Sequence, residues 1–372
     1  MARAIVSVTN DLYTDQRVHK VCVFLMEQGY DVLLVGRKLP SSLKLNDRPY
    51  RTKRLRLIFT SGPLFYGFFN LRLFLYLLFK RSDVLVSNDL DTLLANYLAK
   101  KMKPKTRLVY DTHEYFTEVP ELRNRPRVQK VWLYIERKIF PKLESIYTVN
   151  ESIAKIYSEK YTKEVKVVRN ISPLWQPKAL SNKKDLGIPE SKPLIVLQGA
   201  GINMERGAEE AVEAMQKVEA ILMIVGSGDI VTHLKERVQS MALQDKVLFY
   251  GKKPYHVMMN YTHYADIGLT LDKPKSLNYK LSLPNKVFDY LHTSTAIVAT
   301  DIQEVANVVN RHQIGEIIED FSADTLAATL NSLLTDQHRL EKYKSNCRAA
   351  AQIENWENEI SVLKTIYPSI DE

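Results

Sequence analysis

The chain has 372 residues, 45% of them hydrophobic and 26% charged, with 52 Lys and Arg against 43 Asp and Glu for a formal net charge of +9. At roughly 150 residues per domain this predicts two domains, each able to bury its own core. The near-average composition excludes a mainly disordered chain, a collagen and a disulfide scaffold. Cys22 and Cys347 are the only cysteines, and both fall inside apolar helical patterns. They are expected to be buried thiols in a reducing compartment, not zinc ligands.

The first apolar run, residues 1–8, meets Asn10 and Asp11 too soon for a secretory signal and reads as a strand. Short apolar runs then alternate with amphipathic segments, the pattern of βα units in parallel sheets. In the first half the predicted strands are 4–8, 31–35, 56–59, 84–87, 107–110, 145–149 and 165–168, with helices including 15–28, 71–80, 91–101 and 129–139. The polar stretch 170–189, which carries several prolines, reads as a linker. A second series follows, with strands at 194–197, 221–225, 247–250, 267–271, 296–299 and 316–318. Its helices include 208–216, 229–240, 286–291 and 323–334, and two amphipathic helices occupy 340–366 with Trp356 on an apolar face. The expected fold class is α/β, two doubly wound Rossmann-like domains at 1–170 and 190–350, with 351–372 crossing back to the first.

A basic cluster from Lys44 to Arg56 precedes the aromatic run Phe65, Tyr66, Phe68 and Phe69. It could meet anionic lipid, nucleic acid or a phosphorylated substrate, but reads better as a solvated loop and edge strand beside a core helix. No zinc-finger, RRM or helix-turn-helix pattern supports nucleic acid. The most apolar stretch, 64–79, is interrupted by Asn70 and Arg72 and falls short of the roughly 20 residues a membrane span needs.

Ligands of open α/β sheets sit beyond the carboxyl ends of the strands. In the first half those positions hold Asn10, Asn88, Asp89, Asp111, His113 and Glu114; in the second they hold Gly199, Gly201, Gly226, Gly228, Lys252 and Lys253. Glycines there let a backbone approach phosphate oxygens, with Arg206 as a point of charge-assisted bonding. A tight turn alone would also require a glycine. No G-x-G-x-x-G follows the first strand, which disfavours a dinucleotide enzyme. His113 is the one histidine directly beyond a strand and beside carboxylates. Asp15 and Arg17 open the first helix, where Asp15 is a candidate cap, and Asn88 and Asp89 are candidate caps of the helix near Asp91. The densest cluster is SLPNKVFDY (282–290), where Lys286 in a first helical turn opposes the helix dipole and is better explained by a bound anion. Asp289, one turn on, is placed to accept ribose hydroxyls.

These residues resemble family 4 of the retaining glycosyltransferases, with the GT-B fold. The resemblance rests on SLPNKVFDYLHTSTAIVATD (282–301), QGAGINMERG (198–207), IVGSGD (224–229), TNDLYTDQRVHK (9–20), NDLDTL (88–93), DTHEYFTEVPEL (111–122) and the closing WENE (356–359). It resembles most the bacterial members acting in polysaccharide assembly. It implies that Gly199, Gly201, Arg206, Gly226, Gly228, Asn285, Lys286 and Asp289 bind a UDP- or GDP-sugar. It further implies catalytic roles for His113, Lys286 and Arg206, and acceptor or sugar contacts from Asn10, Asp15, Arg17, Asn88, Asp89 and Glu114. A saccharide or lipid-linked acceptor, no metal, no cofactor and a cytoplasmic location with peripheral contact at the inner membrane face belong to the same expectation. The family usually carries a second acid eight positions before the one matched by Asp289; here that position is Leu281. A sugar-nucleotide epimerase of the same fold and a non-catalytic surface-associated member are the alternatives.

Overall fold

The computed structural model describes residues 1–369 except Thr14, Asn124, Lys178 and Ser191. It divides into two compact units, 1–170 with 359–372, and 171–358.

Unit 1 is a seven-stranded parallel sheet in the order β3-β2-β1-β4-β5-β6-β7. Its strands are β1 (Arg3–Ser7), β2 (Asp31–Lys38), β3 (Arg51–Arg56), β4 (Val84–Asn88), β5 (Arg107–Thr112), β6 (Ser145–Thr148) and β7 (Lys166–Val167). The order reverses between β1 and β4, which pair from Ala4 opposite Val84 to Ser7 opposite Ser87. Such a reversal parts the two flanking crossover helices and opens a crevice beyond the strand ends.

Unit 2 repeats the plan with six parallel strands in the order β10-β9-β8-β11-β12-β13. They are β8 (Leu194–Gly199), β9 (Ile221–Gly226), β10 (Val247–Phe249), β11 (Ile267–Thr270), β12 (Ala296–Thr300) and β13 (Gly315–Ile318). Alternate residues feed two cores: Ile195, Leu197, Leu222 and Ile224 pack on one face of the sheet, and Leu194, Val196, Ile221 and Met223 on the other. Burial on both faces is why these strands read as unbroken apolar runs and not as alternating ones.

Two expected elements are displaced. The strand predicted at 56–59 is β3, Arg51–Arg56, paired with β2 from Leu33 opposite Arg51 to Lys38 opposite Arg56. It lies at the sheet edge, where backbone pairing needs no buried side chains and charged residues are tolerated on both faces. The helix predicted at 71–80 runs over Gly62–Leu78 with Pro63 in its first turn, so the aromatic run belongs to it. Helices Tyr255–Tyr264 and Gln303–His312 were not predicted. Cys22 and Cys347 are free and buried, with burial pushing both thiols well up.

The final helix, Trp356–Ile366, starts in unit 2 and ends in unit 1. Its Glu359 accepts from the Arg169 backbone N–H at 2.6 Å and from Arg169 Nε at 2.9 Å. Beyond it the fully buried Tyr367 packs edge-on to Phe24 and meets the Tyr147 hydroxyl at 3.4 Å.

Candidate functional site

In unit 1 the loops after β1, β4 and β5 converge on a network of charges. Arg17, 4% exposed, grips Asp111 with Nη2 at 2.7 Å and Nε at 3.1 Å, while its Nη1 donates to the Val168 carbonyl at 2.8 Å. Asp111 Oδ2 also meets His113 Nε2 at 3.2 Å. On the other side of the ring, Nδ1 lies 3.3 Å from Asp89 Oδ2, and the His113 backbone N–H donates to Asp89 Oδ1 at 2.7 Å. Asn88 Oδ1 is 3.1 Å from Nε2, and Asn88 Nδ2 donates to the Ser7 carbonyl at 3.0 Å, tying β4 to β1.

This arrangement sets the protonation states. Burial alone would lower the His113 pKa, but Asp89 and Asp111 outweigh it and raise it to about 9. Burial would raise Asp111, yet Arg17 and His113 hold it at about 2. His113 is therefore an imidazolium at neutral pH and a hydrogen-bond donor, not a base. Asp89 sits at φ 57° and ψ 169°, a sparsely populated conformation for a residue with a side chain. That backbone turns its carboxylate toward His113, and Asp89 makes no side-chain cap bond to the helix Leu90–Met102.

Three of the expected acceptor contacts, Asp15, Arg17 and Asn10, have structural work. Asp15 caps the helix Gln16–Glu27, accepting from the Val18 N–H at 2.9 Å. Arg17 has its donors committed to Asp111 and Val168, so its role is to hold the network together. Asn10 likewise shapes its loop, accepting from the Leu12 N–H at 2.8 Å and donating to Asp15 at 2.5 Å. Glu114 is half-buried, and Thr112 Oγ1 donates to its carbonyl at 2.8 Å. Asp91 was missed as a site residue. It accepts from Thr9 Oγ1 at 2.6 Å, its Oδ1 is buried without a hydrogen-bond partner, and burial reinforced by Asp89 lifts its pKa to about 7. In sequence it looked like one more acid in a helical first turn.

In unit 2 the glycine loops after β8 and β9 close on each other. The Ser227 N–H donates to the Gly199 carbonyl at 3.1 Å and the Ile202 N–H to the Ser227 carbonyl at 3.0 Å. A Cβ on Gly226 would lie 1.9 Å from Gly199 O, and one on Gly228 1.9 Å from Ile202 O. Those two glycines are required by backbone packing. Around Gly199 and Gly201 the space is open, with no atom nearer than 3.8 Å to a Cβ built there, so only this second pair leaves room for a ligand.

Beside the open pair lies a cluster of charge. Arg206 Nη1 pairs with Asp272 Oδ1 at 3.3 Å, and its guanidinium stacks 5.1 Å over the Tyr279 ring. Asp272, 3% exposed, follows β11 at the sheet's order reversal. The Lys273 N–H donates to the Glu205 carbonyl at 3.1 Å, which latches the Arg206 loop to this strand end. Lys286 is half-buried; burial lowers its pKa, attraction to Asp272 opposes this, and repulsion from Arg206 adds to it. The two cations thus share one carboxylate. Asp272 was absent from the sequence prediction, although it occupies the position after a correctly predicted strand.

Asp289 is 4% exposed and already engaged, accepting from Tyr255 OH at 2.8 Å and from Gln198 Nε2 at 2.9 Å. Asp289 is thus a buried acceptor that orders Tyr255 and Gln198. Asn285 is exposed and makes no side-chain cap bond to the short helix Lys286–His292. Leu281 is buried, as befits an apolar residue where an acid was sought.

Two family models cover most of the chain: residues 15–171 match Glycosyltransferase Family 4, and residues 180–351 match Glycosyl transferases group 1. The protein carries the two domains of a GT-B glycosyltransferase. Its fold is similar to that of sucrose-phosphate synthase from Thermosynechococcus elongatus, at 16% identity and a TM-score of 0.78, covering 99% of this chain and 98% of that one. A glycosyltransferase from Rickettsia africae gives 14% identity and a TM-score of 0.77, with 100% and 99% covered. The Anabaena protein HepE in complex with UDP-glucose gives 12% identity and a TM-score of 0.71, with 98% and 100% covered. By sequence, no curated protein matches.

The two kinds of glycine separate experimentally. Gly226→Ala is expected to lower the unfolding free energy by about 1–3 kcal/mol or more, because the added methyl meets backbone, whereas Gly201→Ala should leave the urea midpoint nearly unchanged. The His113 network carries a pH signature. A pKa raised from 6.5 to about 9 contributes stability in full below pH 6.5 and loses it as pH rises through 9. Stability should fall by about 2 kcal/mol between pH 7 and 9, a window that only the upper end of the Asp91 titration overlaps, and His113→Gln should flatten most of that decline in urea titrations.

Proposed function

We propose that the protein transfers a sugar from a UDP- or GDP-sugar to a saccharide or lipid-linked acceptor with retention of anomeric configuration. The carrying observation is the Arg206–Asp272–Lys286 cluster beside the open Gly199 and Gly201 loop. Two cations sharing one buried carboxylate are under-neutralised, and a diphosphate supplies the charge they lack. The binding of UDP-glucose by the Anabaena neighbour supports a UDP-sugar donor.

In this reading the diphosphate lies against the Gly199–Gly201 backbone, with Arg206 and Lys286 as its counter-charges. The ribose meets the Tyr255–Asp289–Gln198 network. As the bond between the anomeric carbon and the phosphate oxygen breaks, negative charge grows on the diphosphate and positive charge on the sugar. Fixed cations stabilise the first, and roughly 3 kcal/mol per donor is typical of such groups in a dry site. The acceptor oxygen bonds to the anomeric carbon on the face the phosphate leaves, and its proton passes to the departing phosphate oxygen. Lys286 and Arg206 thus take the part a metal plays elsewhere. Unit 1 binds sugar or acceptor through the Asn88–Asp89–His113 cluster, where His113, as a cation with both ring nitrogens engaged, holds the Asp89 carboxylate in place to accept hydrogen bonds from hydroxyls. Both family matches are to glycosyltransferases, and no observation favours an epimerase.

Isothermal titration of the folded protein with UDP and GDP tests the donor site. One of the two is expected to bind, and Lys286→Ala or Arg206→Ala should each weaken it about tenfold or more, as loss of a charge-assisted contact requires. Absence of binding by either nucleotide, or unchanged affinity in both variants, would reject this site. With a transferable donor in hand, proton NMR of the product, with and without EDTA, reads the anomeric configuration and any metal requirement.

A further inference from the structure

The helix Gly62–Leu78 is apolar all round. Phe65, Phe69, Leu73 and Leu77 are buried at 3% exposure or less. The opposite stripe is not covered: Leu64, Leu71, Leu75 and Phe79 are 64%, 53%, 44% and 81% exposed, and Ile58 just before the helix is 77% exposed. Positions 64, 68, 71, 75 and 79 recur at the spacing that keeps side chains on one helical face. Leu71 also enters an open groove of about 590 Å³, lined by Tyr66, Phe74, Leu98, Val131 and Trp132. The helix Pro126–Ile139 on the far wall exposes Val131 and Tyr134. Monomeric proteins seldom leave so continuous an apolar surface open without a use.

The charge along this stretch of chain is mostly positive. Residues 48–82 contain eight Lys and Arg and no Asp or Glu. Arg72 bridges the two features, donating to the Arg56 carbonyl at 2.6 Å while its guanidinium lies 6.0 Å over the Phe68 ring. On the helix Pro126–Ile139, Arg127, Lys130, Arg137 and Lys138 are exposed, and its one acid, Glu136, is buried and bound to Lys160 and Tyr161. A second copy seated by symmetry would press like charges together. A polyanion such as nucleic acid would leave the leucines in water.

We propose that unit 1 docks through this face onto an anionic phospholipid bilayer. Leu64, Leu71, Leu75 and Phe79 enter the boundary between headgroups and acyl chains, as the apolar face of an interfacial helix does. Arg56, Arg72, Lys80 and Arg81 meet lipid phosphates, and the adjoining groove takes an acyl chain. The helix lies on the surface; among the described residues none is long and apolar enough to cross a membrane. Of the aromatic run noted in the sequence, Phe65 and Phe69 are core, and the exposed stripe is the next face round. The docking face is independent of the donor site in unit 2.

The test is co-sedimentation of the full chain with vesicles of phosphatidylcholine, with and without one-third phosphatidylglycerol, at low and high salt. The expected result is sedimentation with the anionic vesicles, weakened by salt. The double variant Leu71→Glu/Leu75→Glu should reduce partitioning about tenfold or more, and so should Arg56→Glu/Arg72→Glu, at about 1 kcal/mol per basic residue near the surface. Unchanged thermal unfolding and nucleotide titration in the same variants would confirm that the loss is local. The proposal is overturned if the wild type stays in the supernatant at low salt. It is also overturned if the leucine variant sediments like the wild type, or if light scattering shows a dimer that this variant dissolves.

Discussion

A parallel sheet buried on both faces leaves charged and hydrogen-bonding side chains almost nowhere to go except beyond the carboxyl ends of its strands. Both units obey this constraint. The central strands β1, β4, β8 and β9 are almost completely buried, and parallel pairing forces each connection to return over a face as a helix. Polar chemistry therefore collects in the loops, most of all where strand order reverses, between β1 and β4 and between β8 and β11. Asn88, Asp89 and Asp272 all stand at those reversals.

The two collections differ in sign. In unit 1 carboxylates predominate, and Arg17 and His113 are drawn in to balance them; the network is saturated, with both ring nitrogens of His113 and both oxygens of Asp111 engaged. Such a cluster is rigid and balanced within itself, and leaves only carboxylate lone pairs to accept from neutral groups such as hydroxyls. In unit 2 two cations crowd one carboxylate, and the depressed pKa of Lys286 reflects burial and repulsion from Arg206 that Asp272 only partly relieves. A cluster of that kind favours an anion. The split is the one that the proposed donor and acceptor halves require, and it arises from which residues follow the strands, since the folds of the two units are nearly the same.

The helix Gly62–Leu78 stands apart from this logic. A helix covering a sheet needs one apolar stripe, and this one has two. The second stripe contributes nothing to the core, yet residues 48–82, which carry it, hold eight Lys and Arg and no Asp or Glu, a combination that stability alone does not call for.

Much of the molecule was legible from the chain. Apolar runs of four to six residues separated by helical patterns gave both sheets, because burial on both faces writes itself directly into composition. The strand-end rule found His113, Asp89 and the glycine loops, because topology places those residues whatever their contacts. The sequence could not say which glycines serve backbone packing and which leave space: Gly226 and Gly201 look alike until a Cβ is set against its neighbours. It could not show that Arg17 and Asp111, 94 residues apart, form one buried ion pair, or that Asp272 pairs with Arg206 while attracting Lys286. Periodicity misread the edge strand β3, where pairing is a backbone matter. It read a core helix beside that strand, as buried Phe65 and Phe69 show, but a helix so nearly apolar throughout carries no pattern to say which side faces the sheet. Local sequence determines which elements form and where their ends lie; which charges meet, and which apolar face remains open, depends on contacts between residues far apart in the chain and was settled only by tertiary packing.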